Sequence, residues 1–293
     1  MQKFLQYLES EKRSSAHTLS AYHSDLLQFQ DFVKVHFEID ELLQANQSMV
    51  RSWISFLMDQ EMAVSSVHRK LSSLQAYYRF ELKQGRVQKN PVKGIAKPKK
   101  PSVLPQYLEV VQAEKIYEDE EIGWEGLRNQ TILKLLYETG MRRSELLGIC
   151  EKDIDFSKGQ VRVLGKRNKI RIIPLSPFLL AQIRQLMEEN KQLACDKENG
   201  GVFLNDRGQV MSSFQLYSVV KRKLSQWTTM QKRSPHILRH SFASHMLNKG
   251  ADLNVIKEIL GHSSLAATQV YTHLNIEKLK GIHTLLHPRN GEE

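Results

Sequence analysis

Pro91, Pro98, Pro101 and Pro105 follow one another over a short stretch of this chain, and together they decide what it can fold into. Proline fixes φ and has no amide hydrogen, so each costs a helix interior about 3 kcal/mol, and the residue before it is pushed towards extended backbone. Gly85 and the pair Asn90-Pro91 therefore end whatever precedes them, and the stretch beyond runs extended. The chain of 293 residues is divided there. Domains cluster near roughly 100 to 150 residues, so the length agrees with two. We expect a helical domain over 1–88, a basic linker over 89–106 and a second domain over 107–293.

The two parts carry different periodicities. Upstream, apolar residues recur at helical spacing: Leu19, Tyr22, Leu26 and Phe29, then Trp53, Ile54 and Leu57, then Val67, Leu71, Leu74 and Tyr78. Ser65 and Ser66 are placed to cap the last of these helices near Val67. Its other face offers His68, Arg69, Lys70, Ser72 and Ser73, which reads first as a solvated face and, more sharply, as a surface for a nucleic-acid backbone. Downstream, a helix over Gly126 to Glu138 is closed by Gly140 in a left-handed conformation. Val161 and Val163, then Ile170 and Ile172, alternate with Arg162 and Arg171 as strands do, around a turn at Gly165-Lys166-Arg167-Asn168. Helices return over Phe214 to Trp227, from Pro235, over Asn254 to Leu260 with Gly261 as its cap, after Ser264, and over Ile276 to Leu286. The fold class is mainly α with a small β-sheet.

Charge points to a polyanion. The formal net charge is +10, yet residues 1–88 hold ten basic and ten acidic groups, while residues 89–100 hold five lysines and no acid, so half of the excess sits in the linker. Lys93, Lys97, Lys99 and Lys100 are candidates for contact with phosphates, whose counterions they would release; a lysine-solvated linker is the plainer alternative. Cys150 and Cys195 form no Cys-x-x-Cys pair, which fits a reducing compartment. No stretch approaches the ~18 apolar residues of a membrane span and no secretory leader is visible, so a cytoplasmic protein without membrane insertion is expected.

Seven of the eleven histidines lie between His236 and His287. Four of them fall in His236-Ile-Leu-Arg239-His240, Gly261-His262 and Tyr271-Thr-His273, while Arg142 lies far upstream in Thr139-Gly-Met-Arg142-Arg-Ser-Glu145-Leu. Each element has an ordinary reading: Arg142 and Glu145 as an i,i+3 surface pair, Tyr271 as a half-buried aromatic. His236 and His240 have the spacing of metal ligands but lack the glutamate of the zinc-protease helix, and we assign no metal. Taken together, two guanidiniums and two imidazoles suit one anion, most naturally a phosphodiester, with a phenol beside it.

These motifs, in this order, resemble those of the tyrosine site-specific recombinases, most of all the bacterial Xer type. The resemblance rests on Tyr-Glu-Thr-Gly-Met-Arg-Arg-Ser-Glu-Leu, Gly-Lys-Arg-Asn-Lys, His-Ile-Leu-Arg-His-Ser-Phe-Ala-Ser-His and Leu-Gly-His-Ser-Ser-Leu-Ala-Ala-Thr-Gln-Val-Tyr-Thr-His. Thr18-Leu-Ser-Ala-Tyr22, Asn90-Pro91 and the ending His287-Pro288-Arg289 extend it over nearly the whole chain. It implies a helical, SAM-like core-binding domain and a mixed α/β catalytic domain that clamp a DNA duplex. By the same resemblance Tyr271 is the nucleophile, forming a 3′-phosphotyrosyl link. Arg142 and Arg239 hold the phosphate, His236 moves a proton, His262 bonds the scissile phosphate, and Lys166, chosen over Lys169, protonates the leaving 5′-oxygen. Glu145 orients the site, and Arg69, Lys70, the linker lysines and Arg167 contact DNA. Arg167 stands where the family's turn usually has a second glycine.

No metal, ATP or other cofactor is implied, since arginines supply the charge and the phosphotyrosine conserves the bond energy. The implied partners are double-stranded DNA with a specific recombination site and a tetramer on two such sites. That tetramer contains this chain alone or with a second Xer-type recombinase, and a membrane-anchored DNA translocase is a further candidate partner. The C-terminal segment Ile276 to Leu286 would dock on a neighbouring protomer. The implied task is chromosome dimer resolution at cell division, in the cytoplasm at the nucleoid. Integration or excision of a mobile element is the alternative, followed by a topoisomerase-like relaxase and a DNA-binding regulator without catalysis.

Overall fold

The computed structural model describes residues 1–12, 14–99, 106–118, 121–165, 169–193 and 200–261. The chain forms two compact units, Met1–Leu104 and Pro105–Glu293. Lys100, Lys166, Arg167, His262, Tyr271, Cys195, the helices expected after Ser264 and over Ile276 to Leu286, and the ending at Arg289 lie outside the described residues.

The first unit is built from α1 (Gln2–Ser10), α2 (Ala16–Phe37), α3 (Gln47–Asp59) and α4 (Val64–Lys83). Their apolar stripes meet in a core that includes Phe4, Leu26, Phe29, Trp53, Leu71, Leu74 and Tyr78. Side-chain oxygens cap two of the helices: Ser15 accepts from the Thr18 amide, and Asn46 from those of Ser48 and Met49. The start of α4 differs from the expectation at Ser65 and Ser66. Its N-cap is Ala63, whose carbonyl accepts from Ser66 and Val67, so the two serines already lie in the first turn. Residues 89–99, read from sequence as the start of a linker, pack within this unit. Val92 is part of the core, Gln47 donates to the carbonyl of Lys93 (3.1 Å), and His68 donates to that of Pro98 (2.7 Å).

The polar face of α4 is also not what its sequence suggests. Lys70 is 3% exposed and Ser73 is fully buried. Both turn onto Asp25 of α2, at 3.1 and 2.7 Å, and Lys70 bonds Gln28 as well. Lys70 is therefore a core ion-pair partner and not a phosphate contact. Arg69 binds the same carboxylate from the edge, with about half of its side chain in solvent. Removing one partner of a buried pair leaves an uncompensated charge.

The second unit is arranged around α6 (Gly123–Thr139), which is buried along most of its length from Arg128 to Thr139. Against it pack α5 (Val110–Glu118), α8 (Pro177–Leu193), α9 (Ser213–Trp227) and α10 (Pro235–Asn248). Two short helices, α7 (Arg143–Leu147) and α11 (Leu253–Leu260), flank them. A three-stranded antiparallel sheet contains β1 (Ile154–Asp155), β2 (Gln160–Leu164) and β3 (Ile170–Pro174) in that order.

Register fixes the faces of this sheet. Val161 pairs with Ile173 and Val163 with Arg171, so these four share one face, and Arg162, Leu164, Ile170 and Ile172 share the other. The first face is the buried one: Val161, Val163 and Ile173 are at most 1% exposed, whereas Ile170 and Ile172 are 58% and 39% exposed. In β3 it is thus Arg171, and not its isoleucine neighbours, that points inward.

Asp25→Ala should lower the stability of the first unit by about 3 to 5 kcal/mol, because Lys70 is then left buried without its partner. Urea unfolding followed by tryptophan fluorescence measures this.

Candidate active site

Gly140 begins the site. It closes α6 in the left-handed region (φ 58°), and a Cβ there would stand 2.6 Å from side-chain carbons of both Phe242 and Leu260. Only glycine both makes the turn and permits that approach, and the turn delivers Arg142 to the start of α7. The carboxylate of Glu145 then accepts from the Arg142 amide (2.7 Å) and from its guanidinium (2.7 Å). What reads as a surface pair is a buried one on the glutamate side, for the side chain of Glu145 is 4% exposed while that of Arg142 is 34% exposed.

A second guanidinium meets this carboxylate. Arg171, the inward residue of β3, donates to both oxygens of Glu145, at 3.0 and 2.7 Å. Burial pushes the Glu145 carboxyl up, but Arg171 and Arg142 together outweigh it and hold the group down at about 2.

Arg239 arrives from α10. It is 9% exposed and donates to the carbonyls of Gly140 and Leu260 (2.7 Å for the latter). Burial, reinforced by the charge on Arg142, lowers its pKa to about 10, so it stays cationic at neutral pH. Arg142 reaches the Gly261 carbonyl at 3.3 Å, and Nε of Arg171 reaches that of Ile259 at 2.8 Å. Three consecutive carbonyls at the end of α11 are thus bonded by three different arginines. Gly261 itself is left-handed (φ 64°), and the chain passes from it directly into His262.

His236, one turn before Arg239 on α10, stands at the mouth of a cleft of about 440 Å³ lined also by His240, Leu253, Ile256 and Leu260. Partial burial, then the charges of Arg143, Arg239 and Arg142, push its pKa below the ordinary histidine value. Each of these effects disfavours the imidazolium and so favours the neutral ring, which can take a proton. Helix α10 is held from behind: Ser241 accepts from the Leu108 amide (2.8 Å), and His245 bonds the Leu108 carbonyl and the Tyr137 hydroxyl, each at 2.8 Å.

Of the residues singled out in the sequence, the fold brings Arg142, Glu145, His236 and Arg239 into one site. Lys93, Lys97 and Lys99 are exposed on the first unit. The turn expected to carry Lys166 closes where the Gly165 amide donates to the Lys169 carbonyl (2.8 Å). Arg171 was missed, and its only sequence signal was a basic residue inside a strand flanked by isoleucines. The described site offers concentrated positive charge, with Arg142 and Arg239 each using two of five donors among the described residues, beside a neutral imidazole. Such an arrangement suits an anion that gains charge as it reacts.

Residues 106–278 match the profile of the phage integrase family, and residues 1–85 that of the phage integrase N-terminal SAM-like domain. A tyrosine recombinase XerC of Staphylococcus haemolyticus is 37% identical over 99% of this chain and 97% of its own. The fold is shared with a XerH site-specific recombinase bound to palindromic difH substrate in a post-cleavage complex (TM-score 0.73, 24% identity, 96% of this chain and 82% of that one). It is shared also with a lambda integrase tetramer bound to a Holliday junction (TM-score 0.66, 19% identity, 90% and 73%).

The depressed pKa of Glu145 makes its contribution to stability full above about 4.5, the ordinary value, and lost as pH falls through about 2. The melting temperature of the second unit should therefore decline across that window, with a shallower decline in Glu145→Gln. At pH 7 the same variant should be less stable by about 3 to 5 kcal/mol, since two arginines lose their counter-charge.

Proposed function

This chain belongs to the phage integrase family, the tyrosine recombinases that cut and rejoin DNA, and on that premise we propose how its residues divide the work. The observation that carries the reading is the gathering of Arg142 and Arg239 on the end of α11, one residue before His262, with neutral His236 beside them.

In this reading Arg142 and Arg239 bind the non-bridging oxygens of one DNA phosphodiester, and their planar forks strengthen their hold as the phosphorus becomes five-coordinate. The Tyr271 hydroxyl attacks phosphorus. A phenol has an ordinary pKa near ~10, so it needs a proton acceptor, and His236 takes that proton. His262 donates to the phosphate, and Lys166 protonates the departing 5′-oxygen. The product is a 3′-phosphotyrosyl link and a free 5′-hydroxyl. Attack by a 5′-hydroxyl of the partner strand reverses each step, and no bond energy is lost to water. Arg69, Lys93, Lys97, Lys99, Lys100 and Arg167 supply further contacts with the duplex.

We assign the chain to site-specific recombination in chromosome dimer resolution, within a tetramer on two DNA sites and in the cytoplasm at the nucleoid. Support comes from its likeness over nearly its whole length to a tyrosine recombinase XerC. Mapping covalent adducts on the genome tests this role: one site near the replication terminus is expected, and attachment sites at the ends of a mobile element would assign an integrase instead.

On a nicked suicide duplex carrying the mapped site, the wild-type protein should form a covalent adduct and Tyr271→Phe none. Arg142→Lys and Arg239→Lys should slow its formation on the order of 100-fold, because an ammonium cannot replace the two-pronged fork. Lys166→Ala should be slow on ordinary DNA and recover on a substrate with a 5′-thiolate leaving group. A Tyr271→Phe protein that still forms the adduct would remove the tyrosine assignment.

A further inference from the structure

Results

Sequence analysis

Pro91, Pro98, Pro101 and Pro105 follow one another over a short stretch of this chain, and together they decide what it can fold into. Proline fixes φ and has no amide hydrogen, so each costs a helix interior about 3 kcal/mol, and the residue before it is pushed towards extended backbone. Gly85 and the pair Asn90-Pro91 therefore end whatever precedes them, and the stretch beyond runs extended. The chain of 293 residues is divided there. Domains cluster near roughly 100 to 150 residues, so the length agrees with two. We expect a helical domain over 1–88, a basic linker over 89–106 and a second domain over 107–293.

The two parts carry different periodicities. Upstream, apolar residues recur at helical spacing: Leu19, Tyr22, Leu26 and Phe29, then Trp53, Ile54 and Leu57, then Val67, Leu71, Leu74 and Tyr78. Ser65 and Ser66 are placed to cap the last of these helices near Val67. Its other face offers His68, Arg69, Lys70, Ser72 and Ser73, which reads first as a solvated face and, more sharply, as a surface for a nucleic-acid backbone. Downstream, a helix over Gly126 to Glu138 is closed by Gly140 in a left-handed conformation. Val161 and Val163, then Ile170 and Ile172, alternate with Arg162 and Arg171 as strands do, around a turn at Gly165-Lys166-Arg167-Asn168. Helices return over Phe214 to Trp227, from Pro235, over Asn254 to Leu260 with Gly261 as its cap, after Ser264, and over Ile276 to Leu286. The fold class is mainly α with a small β-sheet.

Charge points to a polyanion. The formal net charge is +10, yet residues 1–88 hold ten basic and ten acidic groups, while residues 89–100 hold five lysines and no acid, so half of the excess sits in the linker. Lys93, Lys97, Lys99 and Lys100 are candidates for contact with phosphates, whose counterions they would release; a lysine-solvated linker is the plainer alternative. Cys150 and Cys195 form no Cys-x-x-Cys pair, which fits a reducing compartment. No stretch approaches the ~18 apolar residues of a membrane span and no secretory leader is visible, so a cytoplasmic protein without membrane insertion is expected.

Seven of the eleven histidines lie between His236 and His287, so any chemistry of imidazoles is concentrated near the C-terminus. Four of them fall in His236-Ile-Leu-Arg239-His240, Gly261-His262 and Tyr271-Thr-His273, while Arg142 lies far upstream in Thr139-Gly-Met-Arg142-Arg-Ser-Glu145-Leu. Each element has an ordinary reading: Arg142 and Glu145 as an i,i+3 surface pair, Tyr271 as a half-buried aromatic. His236 and His240 have the spacing of metal ligands but lack the glutamate of the zinc-protease helix, and we assign no metal. Taken together, two guanidiniums and two imidazoles suit one anion, most naturally a phosphodiester, with a phenol beside it.

These motifs, in this order, resemble those of the tyrosine site-specific recombinases, most of all the bacterial Xer type. The resemblance rests on Tyr-Glu-Thr-Gly-Met-Arg-Arg-Ser-Glu-Leu, Gly-Lys-Arg-Asn-Lys, His-Ile-Leu-Arg-His-Ser-Phe-Ala-Ser-His and Leu-Gly-His-Ser-Ser-Leu-Ala-Ala-Thr-Gln-Val-Tyr-Thr-His. Thr18-Leu-Ser-Ala-Tyr22, Asn90-Pro91 and the ending His287-Pro288-Arg289 extend it over nearly the whole chain. It implies a helical, SAM-like core-binding domain and a mixed α/β catalytic domain that clamp a DNA duplex. By the same resemblance Tyr271 is the nucleophile, forming a 3′-phosphotyrosyl link. Arg142 and Arg239 hold the phosphate, His236 moves a proton, His262 bonds the scissile phosphate, and Lys166, chosen over Lys169, protonates the leaving 5′-oxygen. Glu145 orients the site, and Arg69, Lys70, the linker lysines and Arg167 contact DNA. Arg167 stands where the family's turn usually has a second glycine.

No metal, ATP or other cofactor is implied, since arginines supply the charge and the phosphotyrosine conserves the bond energy. The implied partners are double-stranded DNA with a specific recombination site and a tetramer on two such sites. That tetramer contains this chain alone or with a second Xer-type recombinase, and a membrane-anchored DNA translocase is a further candidate partner. The C-terminal segment Ile276 to Leu286 would dock on a neighbouring protomer. The implied task is chromosome dimer resolution at cell division, in the cytoplasm at the nucleoid. Integration or excision of a mobile element is the alternative, followed by a topoisomerase-like relaxase and a DNA-binding regulator without catalysis.

Overall fold

The computed structural model describes residues 1–12, 14–99, 106–118, 121–165, 169–193 and 200–261. The chain forms two compact units, Met1–Leu104 and Pro105–Glu293. Lys100, Lys166, Arg167, His262, Tyr271, Cys195, the helices expected after Ser264 and over Ile276 to Leu286, and the ending at Arg289 lie outside the described residues. Among the described residues, no helix is long and apolar enough to cross a membrane.

The first unit is built from α1 (Gln2–Ser10), α2 (Ala16–Phe37), α3 (Gln47–Asp59) and α4 (Val64–Lys83). Their apolar stripes meet in a core that includes Phe4, Leu26, Phe29, Trp53, Leu71, Leu74 and Tyr78. Side-chain oxygens cap two of the helices: Ser15 accepts from the Thr18 amide, and Asn46 from those of Ser48 and Met49. The start of α4 differs from the expectation at Ser65 and Ser66. Its N-cap is Ala63, whose carbonyl accepts from Ser66 and Val67, so the two serines already lie in the first turn. Residues 89–99, read from sequence as the start of a linker, pack within this unit. Val92 is part of the core, Gln47 donates to the carbonyl of Lys93 (3.1 Å), and His68 donates to that of Pro98 (2.7 Å).

The polar face of α4 also departs from its sequence reading. Lys70 is 3% exposed and Ser73 is fully buried, so neither faces solvent. Both turn onto Asp25 of α2, at 3.1 and 2.7 Å, and Lys70 bonds Gln28 as well. Lys70 is therefore a core ion-pair partner and not a phosphate contact. Arg69 binds the same carboxylate from the edge, with about half of its side chain in solvent. Removing one partner of such a buried pair leaves an uncompensated charge.

The second unit is arranged around α6 (Gly123–Thr139), which is buried along most of its length from Arg128 onward. Against it pack α5 (Val110–Glu118), α8 (Pro177–Leu193), α9 (Ser213–Trp227) and α10 (Pro235–Asn248). Two shorter helices, α7 (Arg143–Leu147) and α11 (Leu253–Leu260), flank them. A three-stranded antiparallel sheet contains β1 (Ile154–Asp155), β2 (Gln160–Leu164) and β3 (Ile170–Pro174) in that order.

Register fixes the faces of this sheet. Val161 pairs with Ile173 and Val163 with Arg171, so these four share one face, and Arg162, Leu164, Ile170 and Ile172 share the other. The first face is the buried one: Val161, Val163 and Ile173 are at most 1% exposed, whereas Ile170 and Ile172 are 58% and 39% exposed. In β3 it is thus Arg171, and not its isoleucine neighbours, that points inward.

Asp25→Ala should lower the stability of the first unit by about 3 to 5 kcal/mol, because Lys70 is then left buried without its partner. Urea unfolding followed by circular dichroism measures this. The control Asp40→Ala, which removes the exposed partner of Lys34, should leave the unfolding midpoint where it was.

Candidate active site

Gly140 begins the site. It closes α6 in the left-handed region (φ 58°), and a Cβ there would stand 2.6 Å from side-chain carbons of both Phe242 and Leu260. Glycine alone makes the turn and permits that approach, and the turn delivers Arg142 to the start of α7. The carboxylate of Glu145 then accepts from the Arg142 amide (2.7 Å) and from its guanidinium (2.7 Å). What reads as a surface pair is buried on the glutamate side, for the side chain of Glu145 is 4% exposed while that of Arg142 is 34% exposed.

A second guanidinium meets this carboxylate. Arg171, the inward residue of β3, donates to both oxygens of Glu145, at 3.0 and 2.7 Å. Burial pushes the Glu145 carboxyl up, but bonds and charge from Arg171 and Arg142 outweigh it and hold the group at about 2.

Arg239 arrives from α10. It is buried and donates to the carbonyls of Gly140 and Leu260, the latter at 2.7 Å. Burial, reinforced by the charge on Arg142, lowers its pKa to about 10, so it stays cationic at neutral pH. Arg142 reaches the Gly261 carbonyl at 3.3 Å, and Nε of Arg171 reaches that of Ile259 at 2.8 Å. Three consecutive carbonyls at the end of α11 are thus bonded by three different arginines. Gly261 itself is left-handed (φ 64°), and the chain passes from it directly into His262.

His236, one turn before Arg239 on α10, stands at a cleft of about 440 Å³ lined also by His240, Leu253, Ile256 and Leu260. Partial burial, then the charges of Arg143, Arg239 and Arg142, push its pKa below the ordinary histidine value. Each of these effects disfavours the imidazolium and so favours the neutral ring, which can take a proton. Helix α10 is held from behind: Ser241 accepts from the Leu108 amide (2.8 Å), and His245 bonds the Leu108 carbonyl and the Tyr137 hydroxyl, each at 2.8 Å.

Of the residues singled out in the sequence, the fold brings Arg142, Glu145, His236 and Arg239 into one site. Lys93, Lys97 and Lys99 are exposed on the first unit. The turn expected to carry Lys166 closes where the Gly165 amide donates to the Lys169 carbonyl (2.8 Å). Arg171 is not singled out by its sequence, where its only signal is a basic residue in a strand between isoleucines. The site concentrates positive charge beside a neutral imidazole, and Arg142 and Arg239 each use two of five donors among the described residues. Such an arrangement suits an anion that gains charge as it reacts.

Residues 106–278 match the profile of the phage integrase family, and residues 1–85 that of the phage integrase N-terminal SAM-like domain. A tyrosine recombinase XerC of Staphylococcus haemolyticus is 37% identical over 99% of this chain and 97% of its own. The fold is shared with a XerH site-specific recombinase bound to palindromic difH substrate in a post-cleavage complex (TM-score 0.73, 24% identity, 96% of this chain and 82% of that one). It is shared also with a lambda integrase in a tetramer bound to a Holliday junction (TM-score 0.66, 19% identity, 90% and 73%).

The depressed pKa of Glu145 makes its contribution to stability full above about 4.5, the ordinary value, and lost as pH falls towards about 2. The melting temperature of the second unit should therefore decline across that window, with a shallower decline in Glu145→Gln. At pH 7 the same variant should be less stable by about 3 to 5 kcal/mol, since two arginines lose their counter-charge.

Proposed function

This chain belongs to the phage integrase family, the tyrosine recombinases that cut and rejoin DNA, and on that premise we propose how its residues divide the work. The observation that carries the reading is the gathering of Arg142 and Arg239 on the end of α11, just before His262, with neutral His236 beside them.

In this reading Arg142 and Arg239 bind the non-bridging oxygens of one DNA phosphodiester, and their planar forks strengthen their hold as the phosphorus becomes five-coordinate. The Tyr271 hydroxyl attacks phosphorus. A phenol has an ordinary pKa near ~10, so it needs a proton acceptor, and His236 takes that proton. His262 donates to the phosphate, and Lys166 protonates the departing 5′-oxygen. The product is a 3′-phosphotyrosyl link and a free 5′-hydroxyl. Attack by a 5′-hydroxyl of the partner strand reverses each step, and no bond energy is lost to water. Arg69, Lys93, Lys97, Lys99, Lys100 and Arg167 supply further contacts with the duplex.

We assign the chain to site-specific recombination in chromosome dimer resolution, within a tetramer on two DNA sites and in the cytoplasm at the nucleoid. Support comes from its likeness, over nearly its whole length, to a tyrosine recombinase XerC. Mapping covalent adducts on the genome tests this role. One site near the replication terminus is expected, and attachment sites at the ends of a mobile element would assign an integrase instead.

On a nicked suicide duplex carrying the mapped site, the wild-type protein should form a covalent adduct and Tyr271→Phe none. Arg142→Lys and Arg239→Lys should slow its formation on the order of 100-fold, because an ammonium cannot replace the two-pronged fork. Lys166→Ala should be slow on ordinary DNA and recover on a substrate with a 5′-thiolate leaving group. A Tyr271→Phe protein that still forms the adduct would remove the tyrosine assignment.

A further inference from the structure

Arg171 has no part in the chemistry above, yet it is the most tightly engaged cation of the site. Its side chain is 12% exposed, and it spends its donors on both Glu145 oxygens and the Ile259 carbonyl. Two glycines press against it. A Cβ built on Gly165 would stand 3.3 Å from Nη1 of Arg171 and 3.7 Å from Oε1 of Glu145. One built on Gly261 would stand 3.1 Å from the same nitrogen. Gly165 precedes Lys166, Gly261 precedes His262, and Glu145 holds Arg142 through its amide and its guanidinium.

We propose that Arg171 is a positioning residue for strand cleavage, a clamp that fixes the elements bearing Arg142, Lys166 and His262 in one mutual geometry while touching no DNA itself. Its placement is what the task demands. Side chains brought from α7, the β2–β3 hairpin and the end of α11 must converge on one phosphate, and an error near 1 Å costs about 100-fold in rate. A planar guanidinium can bond three acceptors in fixed directions; an ammonium supplies the charge without the directions. Most of the clamp is buried, so water does not substitute for it.

The inference rests on the recombinase reading, and two measurements separate them. In single-turnover cleavage of the nicked suicide duplex, Arg171→Met should lower the rate at saturating protein about 100-fold and leave the apparent Kd for DNA within about twofold. Arg171→Lys should recover part of that rate, because it neutralises Glu145. Arg162→Met, on the outward face of β2 and paired with Asp153, serves as control and should cleave as wild type does. In the free protein, amide hydrogen exchange at Gly165 and Gly261, whose amides bond Lys169 and Glu258, should rise at least tenfold in Arg171→Met and not in the control. Cleavage within threefold of wild type would overturn the proposal, as would losses of binding and cleavage in equal proportion. Unchanged exchange at both glycines would overturn it as well. Failure of the wild-type protein to form any adduct would tell against the recombinase reading, and the exchange measurement would then decide the clamp alone.

Discussion

The second unit depends on how one helix ends. The last carbonyls of an α-helix have no amide to accept from, and the peptide dipoles leave that end with roughly half a negative charge. In α11 the carbonyls of Ile259, Leu260 and Gly261 are met by Arg171, Arg239 and Arg142, which come from β3, α10 and the start of α7. These elements are far apart in sequence, and the end of α11 is where their cations meet. Three guanidiniums in so small a space repel one another, so the arrangement needs an anion of its own. Glu145 provides it, buried and bonded by two of the three.

The compensation is incomplete. Three guanidiniums against one carboxylate and roughly half a charge of helix dipole leave an excess of about one and a half positive charges. A fully balanced cluster would be a structural ion-pair network with no appetite for a ligand. The excess here exceeds the single charge of a phosphodiester and approaches the two charges of a five-coordinate phosphorane. In the proposed mechanism binding would therefore strengthen as the reaction advances, which is the condition for a rate effect rather than mere affinity. Burial first, and then the charges of Arg143, Arg239 and Arg142, disfavour an imidazolium at His236.

Much of this was legible in the sequence, and what was not has physical reasons. Gly140 and Gly261 announced left-handed helix ends, and both have them, because glycine after an apolar helical run has few other uses. The helices came from apolar spacing, with ends shifted by a few residues where backbone carbonyls such as that of Ala63 replace side-chain caps. Arg171 was hidden because a period of two tells which residues share a face and not which face is inside. The isoleucines of β3 suggested the wrong one, and the residue that reverses the choice, Glu145, is distant in the chain. Lys70 was hidden in the same manner. A run of polar residues on a helix reads as solvent-facing until a buried carboxylate, Asp25, lies opposite.

Glycines adjoin the positions proposed to act on the phosphate, and their close packing gives a physical reason. Gly165 and Gly261 lie against the Glu145–Arg171 pair so closely that a methyl group would crowd it, and Gly140 lies closer still against Phe242 and Leu260. Arg142, two positions after Gly140, is therefore placed by backbone packed on the core, and not by its own long side chain alone. Lysine and arginine each lose up to ~2 kcal/mol of rotamer entropy when held still. Fixing the backbone beneath them shortens the distance over which the side chain must be ordered. It also makes the geometry depend on a residue such as Arg171, whose bonds end on the protein alone.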